Sequence, residues 1–217
     1  MKGHGDLSTD ELKSEIGKAV RARFSGIVLS GGEPCIRKDI VEAARHTREL
    51  GAQFGVITNG RMLAYGKLTE ELCLAGLTYV YMSLHGPEDI HDRLVGVTGA
   101  FKQGVRAIDN LSKRPELDLT VNTVVVKPNL EHLCDTVRLL QNLDCRIKFS
   151  YVEPRGAMME NREDIPDPLL ASRAISDAIE HGLRLGISPR RIAWDGLPHC
   201  YLPGHQDKFD DLFTHDI

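Results

Sequence analysis

Short apolar runs alternate along this chain with segments whose apolar positions recur every three or four residues. The runs are Ile27 to Leu29, Phe54 to Ile57, Tyr79 to Met82, Leu119 to Val126 and Ile147 to Val152. Between them, helical spacing appears at Ile40, Val41, Ala44 and Leu50; at Leu68, Leu72 and Ala75; at Val105, Ile108 and Leu111; at Leu130, Leu133, Val137 and Leu140; and at Ala171, Ile175, Ile179 and Leu183. Strand alternates with helix at least five times. This pattern predicts βα units on a parallel sheet, whose ligands bind beyond the carboxyl ends of the strands. Ahead of the first run, Ser8-Thr9-Asp10-Glu11 has the form of a capping box before the amphipathic Leu12, Ile16, Ala19 and Val20.

Each run stops at polar or glycine-bearing residues, so polar chemistry gathers where strands finish. The first ends in Gly31-Gly32-Glu33-Pro34, the second in Thr58-Asn59-Gly60 and the third in Ser83-Leu84-His85-Gly86. The fourth carries Asn122 and ends in Lys127-Pro128-Asn129; the fifth ends at Val152 in Glu153-Pro154-Arg155-Gly156. Two glycines allow backbone N–H groups to approach a ligand, and Glu33 beside them supplies a carboxylate suited to an ammonium. Pro34 removes a donor and fixes the exit of the turn.

In this order the motifs resemble the core domain of radical S-adenosylmethionine enzymes. Gly31 to Pro34 is similar to that family's GGEP motif, Thr58 to Gly60 to its TNG, and Ser83 to Gly86 to its ribose-side strand end. His91-Asp92-Arg93-Leu94-Val95-Gly96, followed by Gly99-Ala100-Phe101, resembles a stretch of the subgroup that modifies peptides and small molecules. The resemblance covers roughly residues 8–155. It implies an α/β fold, a partial (β/α)6-type TIM barrel of parallel strands. It also implies two cofactors, S-adenosylmethionine and a [4Fe-4S] cluster, which together generate a 5′-deoxyadenosyl radical. By resemblance, Gly31, Gly32, Glu33 and Pro34 line the methionine ammonium, and Thr58 and Asn59 complete the floor between methionine and substrate. Ser83 bonds the ribose, Asn122 approaches the ribose or the methionine carboxylate, and Val152 presses on adenine. No substrate-side catalytic residue is named. The partners implied are a small-molecule or peptide substrate and an electron donor such as a flavodoxin or ferredoxin.

The family holds its cluster with a C-x3-C-x2-C loop after the first strand, upstream of GGEP, and residues 1–24 contain no cysteine. The expectation is therefore a chain whose first strand and cluster ligands are missing, either a fragment or a relative that has lost them. The alternatives are a non-catalytic nucleotide- or peptide-binding module and an ordinary TIM-barrel lyase or isomerase. The lyase reading is disfavoured, because its anion loop belongs near the last strands, whereas these glycines come early.

Composition narrows the remaining classes. The 217 residues are 41% hydrophobic, enough for a sizeable core but short of the roughly 250 of a complete (β/α)8 barrel. A net charge of −4 gives no electrostatic reason for nucleic acid or an acidic membrane surface as partner. With no long apolar span and a polar amino terminus, the expected compartment is the cytoplasm. Cys35, Cys73, Cys134, Cys145 and Cys200 are scattered without a CxxC pair, which predicts neither a zinc site nor a disulfide framework, so no metal ligand is assigned. The expected organisation is a barrel over residues 1–186 and a carboxy-terminal extension over 187–217. In the extension, His199, Cys200 and His205 read as part of a proline-rich connector.

Overall fold

The computed structural model describes residues 6–154 and 156–210. Six parallel strands pair in chain order: β1 (Gly26–Leu29), β2 (Gln53–Thr58), β3 (Leu77–Ser83), β4 (Asp118–Val125), β5 (Arg146–Tyr151) and β6 (Ile192–Asp195). The helices α1 (Thr9–Arg21), α2 (Ile40–Glu49), α3 (Gly66–Ala75), α4 (Glu88–Val95), α5 (Ala100–Ser112), α6 (Leu133–Leu140) and α7 (Pro168–Arg184) separate them. The parallel βα units are those expected from the alternation, and the α/β partial barrel is the one implied by the resemblance.

Local chemistry explains the element ends. The capping box forms as read: Ser8 accepts from the Glu11 amide, and Glu11 reaches back to the Ser8 amide at 2.8 Å. At α7, Pro168 occupies the first turn, and Asp167 accepts from the amides of Leu169 and Leu170.

Period-two alternation then divides each strand between two environments. Phe54 and Val56, Val80 and Met82, Ile147 and Phe149, and Ile192 and Trp194 are buried in one apolar core with helix residues such as Ile40, Leu72, Ile108, Val137 and Ile175. The intervening positions, Gly55, Ile57, Tyr79, Tyr81, Thr120 and Lys148, line a lumen on the other face. Asn122, two residues beyond Thr120 on β4, shares that lumen face.

The sequence does not announce β6, because its three apolar residues lie between Pro189-Arg190-Arg191 and the proline-bearing stretch from Gly196 to Pro203. Its pairing with β5 is fixed in register from Ile147↔Ile192 to Ser150↔Asp195. Its indole is pinned by a bond from Trp194 Nε1 to the His205 carbonyl at 2.7 Å and by an edge-on contact with Phe209. Phe209 bridges to Trp194, and the Asp210 amide donates to the Trp194 carbonyl, so the segment to residue 210 lies along β6. Likewise, His91-Asp92-Arg93 falls inside helix α4, which was read only as a motif.

Candidate functional site at the strand ends and in the lumen

At the carboxyl end of β1 the chain turns through Gly31, whose φ of 129° favours glycine, and a Cβ at either Gly31 or Gly32 would meet no protein atom within 4 Å. The protein's own packing therefore does not require glycine at position 32. The turn is closed by Glu33. One of its carboxylate oxygens accepts from the Cys35 amide at 2.9 Å and from the Thr58 hydroxyl at 2.6 Å; the other accepts from the Asn59 amide at 2.7 Å. Thr58 Oγ1 accepts in turn from the Gly60 amide, and Asn59 Oδ1 from the Arg61 amide. The glycine-rich turn after β1 and the Thr-Asn-Gly turn after β2 are thus one hydrogen-bonded unit joined through a carboxylate. Charge-assisted bonds of this kind are the stronger class.

Pro34 and Cys35 are buried beneath that unit. Burial pushes the Cys35 thiol up to about 12, with the Thr58 hydroxyl pulling the other way and the Glu33 charge adding to the rise. At neutral pH it is a thiol, not a nucleophile.

A second polar group forms at the next strands. Ser83 ends β3 directly opposite Asn122 of β4, and the Ser150 hydroxyl on β5 donates to Asn122 Oδ1 at 2.8 Å. That bond uses the Asn122 carbonyl oxygen and leaves its amide N–H groups for another acceptor. Val152, just past β5, is buried. The loop after Ser83 is tied from three sides. The Leu84 amide donates to the Asn122 carbonyl, Asn129 Nδ2 donates to the His85 carbonyl, and the His85 amide donates to His91 Nδ1 at 3.1 Å. Asp92 accepts from the amides of Gly99 and Phe101, capping α5, and these bonds hold its carboxyl below the usual range. The His-Asp pair of the sequence motif therefore anchors backbone. Nearby, His85 Nδ1 is buried without a hydrogen-bond partner, and burial, with the neighbouring His91, lowers that imidazole to about 4.

Sequence reasoning missed the lumen residues below these groups. Lys148 is fully buried. Its ammonium lies 2.9 Å from Asp195 on β6, donates to the Asp210 carbonyl oxygen, and sits 5.8 Å from the centre of the Tyr81 ring. Arg146 pairs with the Asp210 carboxylate at 2.8 Å. The signal was present: Arg146, Lys148 and Ser150 alternate with Ile147 and Phe149, so a strand with one polar face was legible in the run. Beside these residues a cavity of about 690 Å³ opens toward the amino-terminal ends of the strands.

Among the described residues, no three His, Cys, Asp or Glu side chains gather to hold a metal ion. At the turn after β1, open space lies where Gly31 and Gly32 lack side chains, next to the unit that Glu33 closes. No helix among the described residues is long and apolar enough to cross a membrane.

Comparison with known proteins gives four findings. The sequence profile of the radical SAM superfamily matches residues 2–140. The PqqA peptide cyclase of Rhodopseudomonas palustris is 35% identical over 163 residues, which is 74% of this chain and 43% of the relative. The AdoMet-dependent heme synthase of Methanosarcina barkeri is 34% identical over 164 residues, covering 75% of this chain and 46% of the relative. Among solved structures, Streptococcus suis SuiB bound to precursor peptide SuiA superposes with a TM-score of 0.73 at 14% identity, over 90% of this chain and 44% of SuiB. That likeness is one of fold. The chain spans less than half the length of each of these three proteins.

Proposed function

The chain belongs to the radical SAM superfamily, and on that premise we propose that its strand ends bind S-adenosylmethionine for the modification of a peptide or small molecule. Held by these residues beside a reduced [4Fe-4S] cluster, S-adenosylmethionine would supply hydrogen-abstraction chemistry, with the electron from a donor such as a flavodoxin or ferredoxin.

The observation that carries the reading is the unit formed by Gly31, Gly32, Glu33, Thr58 and Asn59. Its glycines leave room against the backbone, and its carboxylate is held by three donors, so it is fixed before any ligand arrives. In this reading the backbone of Gly31 to Pro34 receives the methionine ammonium, with Glu33 supplying the countercharge. Thr58 and Asn59 hold Glu33 in place and form the adjoining floor. Ser83 meets the ribose hydroxyls. Asn122, its oxygen engaged by Ser150, presents N–H groups to the ribose or the methionine carboxylate. Val152 offers an apolar surface to the adenine. The relatives named for a peptide cyclase and a heme synthase support a substrate on the scale of a peptide or a macrocycle.

Calorimetric titration of S-adenosylmethionine tests this reading. Saturable binding is expected, weakened about tenfold or more by Gly32→Val, which fills the cradle, and by Glu33→Ala, which removes a charge-assisted partner. Unchanged affinity in both variants would refute it.

A further inference from the structure

The polar groups at the amino-terminal mouth of the lumen are not explained by nucleotide binding at the opposite end. The cavity of about 690 Å³ has an apolar wall from β1 and β2, formed by Val28 and Ile57, and an aromatic wall formed by Tyr79 and Tyr81. Tyr79 lies directly against Gly55, where a Cβ would come within 2.9 Å of the ring, so the glycine makes the space that the phenol ring occupies. The remaining wall is charged. Its two cations are already compensated, Lys148 by Asp195 and Arg146 by Asp210. Its other carboxylates, Glu116 and Asp118, stand at the mouth; no hydrogen bond or ion pair to either is found among the described residues. Burial, the first cause, and then the charge of Asp118 hold the Tyr79 phenol neutral, up at about 12, so its ring offers an uncharged face.

An anionic guest would meet two uncompensated carboxylates. A purely apolar guest would leave them unanswered. A cation on an apolar stem satisfies every wall at once: the stem lies on Val28, Ile57 and the ring faces, and the charge meets Glu116 and Asp118. We infer that this cavity is a binding site for an alkylammonium group, separate from the strand-end site. Two sources share that chemistry, a lysine side chain of a peptide and a free aliphatic diamine.

Titration calorimetry at low salt distinguishes the sources, using N-acetyl-lysine amide and putrescine as probes and N-acetyl-norleucine amide as the uncharged control. The cationic probes are expected to bind at least about tenfold more tightly than the norleucine control, with the tighter of the two naming the source. The double variant Glu116→Gln/Asp118→Asn should lose about tenfold or more of that affinity, and added salt should weaken binding in the native protein. Tyr79→Leu, which keeps an apolar wall but removes the ring face, should lose about two- to fivefold. Both carboxylates are exposed, so the double variant is expected to fold, and its thermal transition checks this. Equal binding of lysine and norleucine, no binding up to about 10 mM, or a folded double variant with unchanged affinity would each overturn the inference. The readout is amine binding alone, so failure of S-adenosylmethionine to bind at the strand ends would leave it standing.

Discussion

The two ends of the lumen handle polar groups in opposite ways. At the carboxyl end the carboxylates and the Asn122 oxygen are answered by the chain itself, Glu33 by three donors, Asn122 by Ser150 and Asp92 by two amides, and among the described residues His85 Nδ1 is the exception. At the amino-terminal mouth Glu116 and Asp118 face the cavity with no such partners among the described residues, while the cations beside them are already paired. The first arrangement holds backbone in place for a ligand that brings its own complementary groups. The second leaves charge for a ligand to neutralise. Polar groups that fold the protein and polar groups that await a guest can therefore be told apart by their partners.

Stability measurements can break that distinction. The largest effect is expected midway between the ends, at the buried pair. Asp195→Ala leaves the fully buried Lys148 ammonium without its carboxylate and should cost about 3–5 kcal/mol in urea unfolding. Lys148→Met, which removes the charge and keeps the volume, should cost far less, although it forfeits the bond to the Asp210 carbonyl. Equal costs would mean that the pair is not desolvated.

Next comes the dependence on pH at the carboxyl end. His85 is neutral in the folded protein because burial lowers its pKa to about 4, below the ordinary value near 6.5. The unfolded chain therefore binds more protons between those values. The resulting stability is fully present above about pH 6.5 and is lost as pH falls toward 4, by roughly 1–3 kcal/mol. His91, lowered by burial as well, adds in the same direction. Unfolding at pH 7.5 and 5.0 measures the loss, and His85→Gln should flatten it; an unchanged slope would show that acid acts elsewhere.

Thr58→Val tests the latch between the two turns. It removes one donor to Glu33 and the acceptor for the Gly60 amide, and should cost about 1–2 kcal/mol and weaken S-adenosylmethionine binding together. Smallest of all should be Asp118→Asn at the mouth. With no partner to lose it should move stability by under about 0.5 kcal/mol, or raise it slightly by easing repulsion with Glu116. A loss of more than about 1 kcal/mol would show that Asp118 helps to hold the fold.

The same contrast explains what the sequence disclosed. The barrel was legible because each strand but β6 is a sustained apolar run between helical periods, and the carboxyl-end residues were legible because turns concentrate them: Gly31 to Pro34 are contiguous, as are Thr58 to Gly60. What Glu33 does was not, since its partners Thr58 and Asn59 lie 25 and 26 residues away and only the parallel register brings them close. The amino-terminal mouth was harder still. Its residues come singly from the starts of different strands, Tyr79, Asp118 and Arg146 among them, and nothing local marks them as a group. Lys148 looks like an interruption of an apolar run until the alternation around it is counted. β6 escaped because its three apolar residues lie between Pro189-Arg190-Arg191 and the proline-bearing stretch from Gly196 to Pro203, which together read as a connector.

The contact between Gly55 and Tyr79 has a consequence for how this interior could change over time. A single methyl at position 55 would collide with the ring and drive it toward the open space, trading accommodation for steric exclusion, while loss of the ring at 79 would enlarge the chamber. Two adjacent strands thus carry a paired adjustment of size, one residue on each. A methyl at 55 would also press on the Cβ and carbonyl oxygen of Tyr79, so a change of size at 79 is the freer of the two, and it leaves the hydrogen-bonded turns at the far end untouched.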